Sequence, residues 1–177
     1  MMDGFRWENE GAVLRQATLE DLPAMTAIYN QAVLERSATA DPHPKSPDDR
    51  REWFARYQWE QGHPLIVWEE EGAIQAYCGL STFRAKRGYD GCVEMTLYVR
   101  KCQRGRGIGR DLGEVMVDLG RRLGNRVILA LVFADNAGSN GLFARLGFSL
   151  SGHFPEAVLF PGVDEQPRDV GIWHLRL

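Results

Sequence analysis

A chain of 177 residues is long enough for one domain with a sizeable core, and we expect a single domain over residues 1–177. Its composition, 44% hydrophobic and 25% charged, is that of an ordinary globular protein and not of a disordered or membrane-spanning one. A net charge of −3 argues against a general nucleic-acid-binding surface. The first residues lack the pattern of a signal peptide, and no run of about eighteen apolar residues occurs. We therefore expect a cytoplasmic protein with neither nucleic acid nor a membrane as its partner.

The three cysteines, Cys78, Cys92 and Cys102, are an odd number, without C-x-x-C spacing and without a histidine cluster nearby. This pattern predicts neither a disulfide framework nor a zinc site, so we expect no metal. Free cysteines often pack as small apolar side chains, and buried or incidental thiols are the expectation for all three.

The first third of the chain predicts one strand and two helices. Residues 12–17 form a short strand candidate, and Thr18 with Asp21 predicts a capping box at the start of a helix. A second helix is predicted from Ser46, with proline at its first helical position, to Gly62. The apolar faces of these two helices consist of Leu22, Met25, Ile28, Tyr29, Ala32, Trp53, Phe54 and Tyr57.

The rest of the chain alternates strands and helices. An antiparallel hairpin is predicted over residues 65–83, with its turn at Glu71 and Gly72. Further strands are predicted over 92–99, 127–133, 149–154 and 170–177. One further helix is predicted from Ile108 to Gly124, and a short one is predicted to end at Gly147. This order predicts a mixed α/β fold around a central unit of strand, glycine-rich loop, helix and strand.

The sequence QRGRGIGRDLG at residues 103–113 places a glycine-rich loop directly before a helix. Its glycines allow positive φ angles and can turn several N–H groups toward one point, at a helix N-terminus that already attracts anions. Its arginines add positive charge at the rim. The loop therefore predicts a phosphate or pyrophosphate site. The residues concerned are Arg104, Gly105, Arg106, Gly107, Gly109 and Arg110.

Two common phosphate-binding motifs do not fit this loop. A P-loop ends in Gly-Lys-Ser/Thr, whereas this stretch ends in Gly109, Arg110 and Asp111. The dinucleotide fingerprint needs G-x-G-x-x-G in the first βα unit, whereas the glycines from Gly107 onward follow G-x-G-x-x-x-G after a strand in mid-chain. Neither motif explains the loop.

Residues 104–109 instead resemble the R/Q-x-x-G-x-G/A loop that binds the pyrophosphate of acetyl-CoA in the GCN5-related N-acetyltransferase (GNAT) superfamily. The stretch NAGSNGLFARLGF at 136–148 resembles the second signature of that superfamily. Within it, the chain is similar to the phosphinothricin and methionine sulfoximine acetyltransferases, in stretches that include IYNQAV, SATADPHPKS and HLRL. The resemblance implies a GNAT fold, with a twisted mixed β-sheet of about seven strands flanked by helices. Its central parallel strands, 92–99 and 127–133, would splay apart around the pantetheine arm.

Acetyl transfer to an amine needs a group that removes a proton from the ammonium form of the acceptor. Glu94 matches the glutamate of the V-E-x-x-x-Y-V segment that has this role in the resembling group. The residues alone favour a solvated strand position for Glu94, and the resemblance reverses this preference and implies a catalytic base. A backbone N–H of the same strand, near Leu97, Tyr98 and Val99, is expected to stabilise the developing oxyanion.

The resemblance breaks at Phe143, where many superfamily members have tyrosine and the phosphinothricin group commonly has histidine. Phenylalanine cannot donate a proton to the leaving thiolate. Either the thiolate leaves unaided or through water, or Tyr98 protonates it, or the chain binds CoA and catalyses weakly. Asn136 is expected to hydrogen-bond the pantetheine arm or to cap the helix that follows it, and the two roles are compatible. The predicted cofactor contacts are Leu97, Tyr98, Val99, Arg104, Gly105, Arg106, Gly107, Ile108, Gly109, Arg110, Asn136 and Phe143.

A basic loop just before the strand of Glu94 offers a site for the acceptor. Its cations and phenol would hold the carboxylate of an amino-acid-like amine, although a solvated basic loop explains them equally well. The residues are Arg84, Lys86, Arg87 and Tyr89.

Two departures from the resembling group concern the acceptor site. Ala40 replaces an aromatic residue often found there, and the stretch 160–169 looks like an insert. We therefore expect an acetyl-CoA-dependent N-acetyltransferase that acts on a small primary amine carrying a carboxylate, by direct attack in a ternary complex. A homodimer is also implied. The alternatives are a GNAT enzyme for another amine (an aminoglycoside, a polyamine or a protein N-terminus) and a weakly catalytic CoA-binding sensor.

Overall fold

The computed structural model describes residues 5–9 and 11–177. The strands are β1 (Arg6–Asn9), β2 (Ala12–Gln16), β3 (Leu65–Glu70), β4 (Ala73–Thr82), β5 (Cys92–Val99), β6 (Val127–Phe133), β7 (Ser149–Phe160) and β8 (Asp164–Arg176). The helices are α1 (Leu22–Glu35), α2 (Arg51–Phe54), α3 (Ile108–Arg122) and α4 (Ala137–Arg145). None of the helices in this part of the chain is both long and apolar enough to cross a membrane.

The strands form one mixed sheet in the order β1-β2-β3-β4-β5-β6-β8-β7. All neighbours are antiparallel except β5 and β6. This confirms the predicted mixed α/β sheet with a central parallel pair. The described residues contain eight strands instead of about seven, because β1 adds an edge strand to β2, with Trp7 opposite Leu14. No strand is predicted from the sequence at residues 6–9.

The parallel pair is short, as the splayed arrangement requires. Strand β5 pairs with β6 only at Cys92 with Val127, Val93 with Ile128, and Glu94 with Leu129. Farther along, β5 stays paired with β4 up to Val99, while β6 continues along β8 up to Phe133. A gap therefore opens between β5 and β6 just beyond Glu94.

Helices cover both faces of the sheet around this gap. On one face, α3 buries Ile108, Leu112 and Met116 against the strands, and α4 buries Phe143 beside them. On the other face, α1 packs Met25 and Ile28 onto β3 and β4. Side chains alternate along β5, so Val93, Met95, Leu97 and Val99 belong to the α3 face, and Tyr98 to the α1 face.

The predicted helix from Ser46 to Gly62 is wrong in its extent. The structure has a 3₁₀ turn at Asp48–Arg50, the four-residue α2, and a second 3₁₀ turn at Trp59–Gln61. Gln58 adopts an extended conformation (φ −122°, ψ 104°), which interrupts any continuous helix. The prediction that Trp53 and Tyr57 face inward is confirmed, because both pack against the α1-face core.

The last two strands are longer than predicted and form one hairpin. The insert-like stretch 160–169 is its distal end, since β7 runs to Phe160 and β8 starts at Asp164. The Arg168 guanidinium lies 5.8 Å from the ring centre of Phe133 and 5.9 Å from that of Phe160. This contact anchors the hairpin end to β6, so the stretch is part of the sheet.

Candidate active site

A cavity of about 290 Å³ opens where β5 and β6 separate. Its walls come from the loop after α1, from both strands of the gap, from the start of α4 and from the last hairpin. The lining residues are Ala38, Thr39, Ala40, Glu94, Met95, Thr96, Leu97, Tyr98, Leu131, Val132, Phe133, Asn136, Ser139, Phe143, Val158 and Val170. The structure thus brings together five of the residues predicted from sequence: Glu94, Leu97, Tyr98, Asn136 and Phe143.

Glu94 supplies the only carboxyl group among the described residues that line this cavity. It lies opposite Ser81 of β4 and Leu129 of β6, at the last position before the gap. Burial raises the pKa of its carboxyl group, and no neighbouring charge within the described part of the chain opposes this shift. A half-buried carboxylate of raised pKa is a suitable proton acceptor near neutral pH.

The backbone of β5 presents its groups to the gap at alternate residues. The Arg100 amide donates to the Gln75 carbonyl, and the Cys92 carbonyl accepts from the Phe83 amide, so the even-numbered residues of β5 bond toward β4. The N–H groups of Leu97 and Val99 must therefore point to the opposite side, where β6 has moved away. The N–H of Tyr98 points to β4 and is not available at the gap.

The Tyr98 side chain lies on the α1 face in a cluster of aromatic rings. Its ring centre is 5.3 Å from that of Tyr29 and 5.5 Å from that of Tyr77. Its hydroxyl donates a hydrogen bond of 3.1 Å to the Ala38 carbonyl. Burial raises the pKa of Tyr98 well above the usual tyrosine range, so the hydroxyl stays protonated at neutral pH.

Asn136 and Phe143 line the cavity from the α4 side. The Asn136 Oδ1 accepts a hydrogen bond of 3.0 Å from the Ser139 amide, which confirms the predicted helix cap. Its Nδ2 donates to the Ser37 carbonyl at 2.8 Å. Phe143 is buried, and its ring packs edge-on against Phe148 with centres 5.0 Å apart. The cavity wall at Phe143 is thus apolar.

The glycine-rich loop lies beyond Val99 and leads into α3. Gly105 and Gly107 have φ angles of 81° and 91°, a conformation that other residues rarely adopt. Gly109 is helical, and a Cβ atom there would lie 3.5 Å from Val99 Cγ2, which is an ordinary contact. The backbone amides of residues 105–109 donate no hydrogen bond to any described residue. They form a set of free donors at the positive end of α3, as an anion site requires.

Each predicted arginine of this loop is paired with a glutamate. Arg104 Nη1 lies 2.7 Å from Glu35 Oε2, and Arg106 Nη1 lies 3.0 Å from Glu70 Oε2. Arg110 Nε lies 2.8 Å from Glu114 Oε1. The arginines are thus exposed, and each guanidinium group is paired with a nearby glutamate.

The basic loop does not line the cavity. Arg84, Lys86, Arg87 and Tyr89 are all exposed, and Tyr89 packs edge-on against Phe83 with ring centres 5.7 Å apart. The part of the chain that the structure describes places no lysine or arginine in the cavity wall. The acceptor role of these four residues stays a prediction.

Most of the cavity wall that β6 and the last hairpin contribute is not predicted by the sequence. Leu131, Phe133, Val158 and Val170 make one side of the cavity apolar. Ordinary strand patterns contain such residues everywhere, so no local signal marks them. Within residues 5–9 and 11–177, no group of three or more His, Cys, Asp or Glu side chains is placed to hold a metal ion.

Comparison with known proteins agrees with this geometry. Residues 12–149 match the family model described as an acetyltransferase (GNAT) domain. The chain is 37% identical over 147 residues to an L-methionine sulfoximine/L-methionine sulfone acetyltransferase of Pseudomonas paraeruginosa, covering 82% of this chain and 84% of that protein. It is 33% identical over 145 residues to a phosphinothricin N-acetyltransferase of Streptomyces coelicolor, covering 81% of this chain and 85% of that protein.

A solved structure extends the similarity to the whole fold. It is a crystal structure of a GNAT superfamily phosphinothricin acetyltransferase from Sinorhizobium meliloti in complex with AcCoA. The TM-score is 0.86 at 30% sequence identity, and the match covers 95% of this chain and 89% of that one.

Proposed function

This chain belongs to the acetyltransferase (GNAT) family and is an acetyl-CoA-dependent N-acetyltransferase, and on this premise we propose that it acetylates the primary amine of a small amino-acid-like acceptor. One observation carries the proposal. The half-buried carboxylate of Glu94 lies where β5 and β6 separate, and the free amides of residues 105–109 lie past the far end of β5. The first suits an incoming amine, and the second suits a diphosphate.

The residues around the gap fit acetyl-CoA. The positive φ angles of Gly105 and Gly107 and the free amides at the start of α3 match the needs of a diphosphate group. Asn136 and Phe143 border the same gap and would contact the pantetheine arm. When bound, acetyl-CoA supplies the acetyl group as a thioester with a thiolate as leaving group.

Glu94 is the general base in this proposal. It removes the proton from the acceptor ammonium, directly or through one water molecule, and the free amine then attacks in a ternary complex. The N–H groups of Leu97 and Val99 point toward the gap and stabilise the negative charge that develops on the acetyl oxygen. None of these steps uses a metal ion.

The leaving thiolate takes its proton from solvent. Phe143 has no proton to give, and the Tyr98 hydroxyl is held by the Ala38 carbonyl. The modest basicity of a thiolate makes an acid catalyst dispensable.

The acceptor is proposed to be an amino acid whose side chain ends in a methyl group. The names of the relatives state acceptors of this kind, namely methionine sulfoximine, methionine sulfone and phosphinothricin. The apolar wall of Leu131, Phe133, Val158 and Val170 suits such a side chain. The basic loop then holds the acceptor carboxylate at the mouth of the cavity.

A rate assay with matched acceptors tests this assignment. Free CoA release is measured with L-methionine sulfone and with its decarboxylated amine, for the wild type and for the double variant Arg84→Ala/Lys86→Ala. We expect the wild type to prefer the amino acid and the double variant to lose that preference. Equal rates on both acceptors in the wild type would show that the enzyme does not recognise the acceptor carboxylate. Faster acetylation of spermidine or of an aminoglycoside would show that the acceptor is a polycationic amine and not an amino acid.

Phe143 stands where many superfamily members have a side chain that can donate a proton. This favours one competing function, a CoA-binding sensor with little turnover. Calorimetry separates the two functions, because a sensor binds acetyl-CoA tightly and acetylates no amine in the panel. Turnover on any acceptor at physiological acetyl-CoA concentration excludes the sensor.

We further propose a cytoplasmic homodimer built from single-domain subunits. Free Cys78, Cys92 and Cys102 suit a reducing compartment. Two apolar side chains of β7, Leu150 and Phe154, are 55% and 54% exposed, which suits a protein interface. Sedimentation equilibrium tests the dimer, and a monomer at micromolar concentration would contradict it.

A further inference from the structure

The loop that follows α1, residues 36–41, forms part of the cavity wall, and we call it the acceptor loop. It has no regular secondary structure. Its residues Ala38, Thr39 and Ala40 line the cavity directly. The carbonyls of residues 36–38 have no strand or helix to pair with, and side chains of other elements supply their hydrogen-bond donors.

Three consecutive carbonyls of the acceptor loop accept hydrogen bonds from three different elements. Arg168 Nη1 of β8 donates to the Arg36 carbonyl at 2.9 Å, and Asn136 Nδ2 donates to the Ser37 carbonyl at 2.8 Å. The Tyr98 hydroxyl of β5 donates to the Ala38 carbonyl at 3.1 Å. The loop is thus tied to β5, to the start of α4 and to β8, and these elements border the cavity.

The first residue of the loop is held in an unfavourable conformation. Arg36 has φ 51° and ψ 36° at the end of α1, where glycine is the usual residue. A residue with a side chain pays a conformational cost there, of about 1 kcal/mol. Such conformations persist where surrounding contacts determine them, and the bond from Arg168 is such a contact.

The far end of the loop is fixed as well. The Tyr29 hydroxyl donates to the Asp41 carboxylate and also contacts the Thr39 hydroxyl. Tyr29 packs on the Tyr98 ring. The loop between Arg36 and Asp41 therefore has little freedom to move away from the cavity.

We propose that Tyr98, Asn136 and Arg168 are positioning residues that fix the acceptor loop, and that the loop backbone between Ser37 and Ala40 places the acceptor against Glu94. This inference rests on the proposed function. It gives Tyr98 a part in acceptor binding and none in protonating the thiolate. The small side chains of Ala38 and Ala40 leave the loop backbone itself as the surface that meets the acceptor.

The variant Tyr98→Phe tests this assignment, because it removes only the hydroxyl. Loss of one neutral hydrogen bond should raise the KM for L-methionine sulfone about three- to tenfold, with kcat and acetyl-CoA affinity within about twofold of wild type. Hydrogen exchange of the amides of residues 37–41 should become faster in the free protein. A proton donor would behave differently, since kcat would fall while the KM and the exchange rates stayed unchanged. That result would overturn the proposal.

Two further variants separate positioning from general stability. Asn136→Asp keeps the oxygen that accepts from the Ser139 amide but loses the donor to the Ser37 carbonyl, and it should also raise the KM and the exchange rates. Tyr77→Phe is the control, because its buried hydroxyl accepts from Arg50 and touches no carbonyl of the loop. It should lower stability and leave the loop exchange and the KM unchanged. An equal rise of the KM in Tyr77→Phe would overturn the proposal.

Failure of the proposed function has a different signature. A wild-type protein that acetylates none of the amines tested would refute the proposed acceptor class. The exchange rates are measured without acceptor, so they would still decide whether the three side chains fix the loop.

Discussion

Glu94 and Leu129 form the last parallel pair between β5 and β6, and the cavity lies beside Glu94, between the segments 94–98 of β5 and 131–133 of β6. A carboxylate at this position is partly shielded by two neighbouring strands and still faces the space that an amine can enter. The same relationship fixes where the backbone N–H groups of β5 lose their partners. The site therefore follows from the point at which one pair of strands stops pairing.

Replacing Glu94 with glutamine should remove the proton acceptor and preserve the shape of the side chain. We expect kcat at neutral pH to fall about a hundredfold, the order of magnitude for general base catalysis. Acetyl-CoA affinity, measured by calorimetry, should stay within about twofold. The exposed Glu20→Gln serves as the control, and an unchanged kcat in Glu94→Gln would exclude Glu94 as the base.

The pH dependence of kcat/KM should report the buried carboxyl group. Burial raises the pKa of Glu94, so the rate should rise with pH through a value above the ordinary glutamate range. The same shift makes the free energy of unfolding depend on pH. The protonated carboxyl group stabilises the folded state below its unfolded-state pKa, and this contribution is lost as the pH rises through the folded-state pKa. Glu94→Gln should therefore raise Tm more at pH 7 than at pH 4. An equal change of Tm at both pH values would contradict the shift.

Gly107→Ala should weaken acetyl-CoA binding. The φ angle of 91° at Gly107 turns the loop amides toward one side, and a side chain there strains the backbone by about 1 kcal/mol. We expect a loss of affinity of about tenfold by calorimetry. Gly124→Ala is the matched control, since Gly124 has φ 78° at the other end of α3 and lies away from the loop. It should cost similar stability and leave the affinity unchanged. Similar affinity losses in both variants would point to helix stability as the cause.

Gly79→Ala should destabilise the protein. A Cβ atom at Gly79 would lie 2.4 Å from Tyr57 Cε1 and 2.7 Å from Leu65 Cδ1, so the Tyr57 ring must shift. Overpacking of this kind costs about 1–3 kcal/mol of unfolding free energy, measurable by urea denaturation. Gly141→Ala in α4 meets no atom within 4 Å and should be neutral or stabilising. A stable Gly79→Ala variant would mean that the ring moves freely.

Local sequence patterns predicted the parts of the site that local structure builds. The glycines before α3 and the alternation of β5 are short-range signals, and they predicted an anion-binding loop and the strand that carries Glu94. The role of Glu94 as a base is implied only by the resemblance to the GNAT superfamily. The acceptor loop has no such signal, because its carbonyls meet donors far along the chain. Tyr98 and Ala38 are 60 residues apart, and Arg168 and Arg36 are 132 residues apart. The extent of the helix predicted from Ser46 was wrong for a related reason. Its aromatic side chains pack against the sheet from a series of short turns and a four-residue helix. Helical spacing in the sequence does not distinguish this arrangement from one continuous helix.

The ion pairs of the glycine-rich loop bear on how the cosubstrate arrives. Arg104, Arg106 and Arg110 each form an ion pair with a glutamate. Paired charges largely cancel at a distance, and physiological salt screens the remainder beyond about 8 Å. We therefore expect the loop to exert little long-range steering on an approaching polyanion, and its positive charge to become available when a diphosphate displaces the glutamates. The net charge of −3 adds a weak repulsion that salt also screens, so we expect added salt not to slow the association of acetyl-CoA. A rate of association that falls steeply with salt would contradict this expectation.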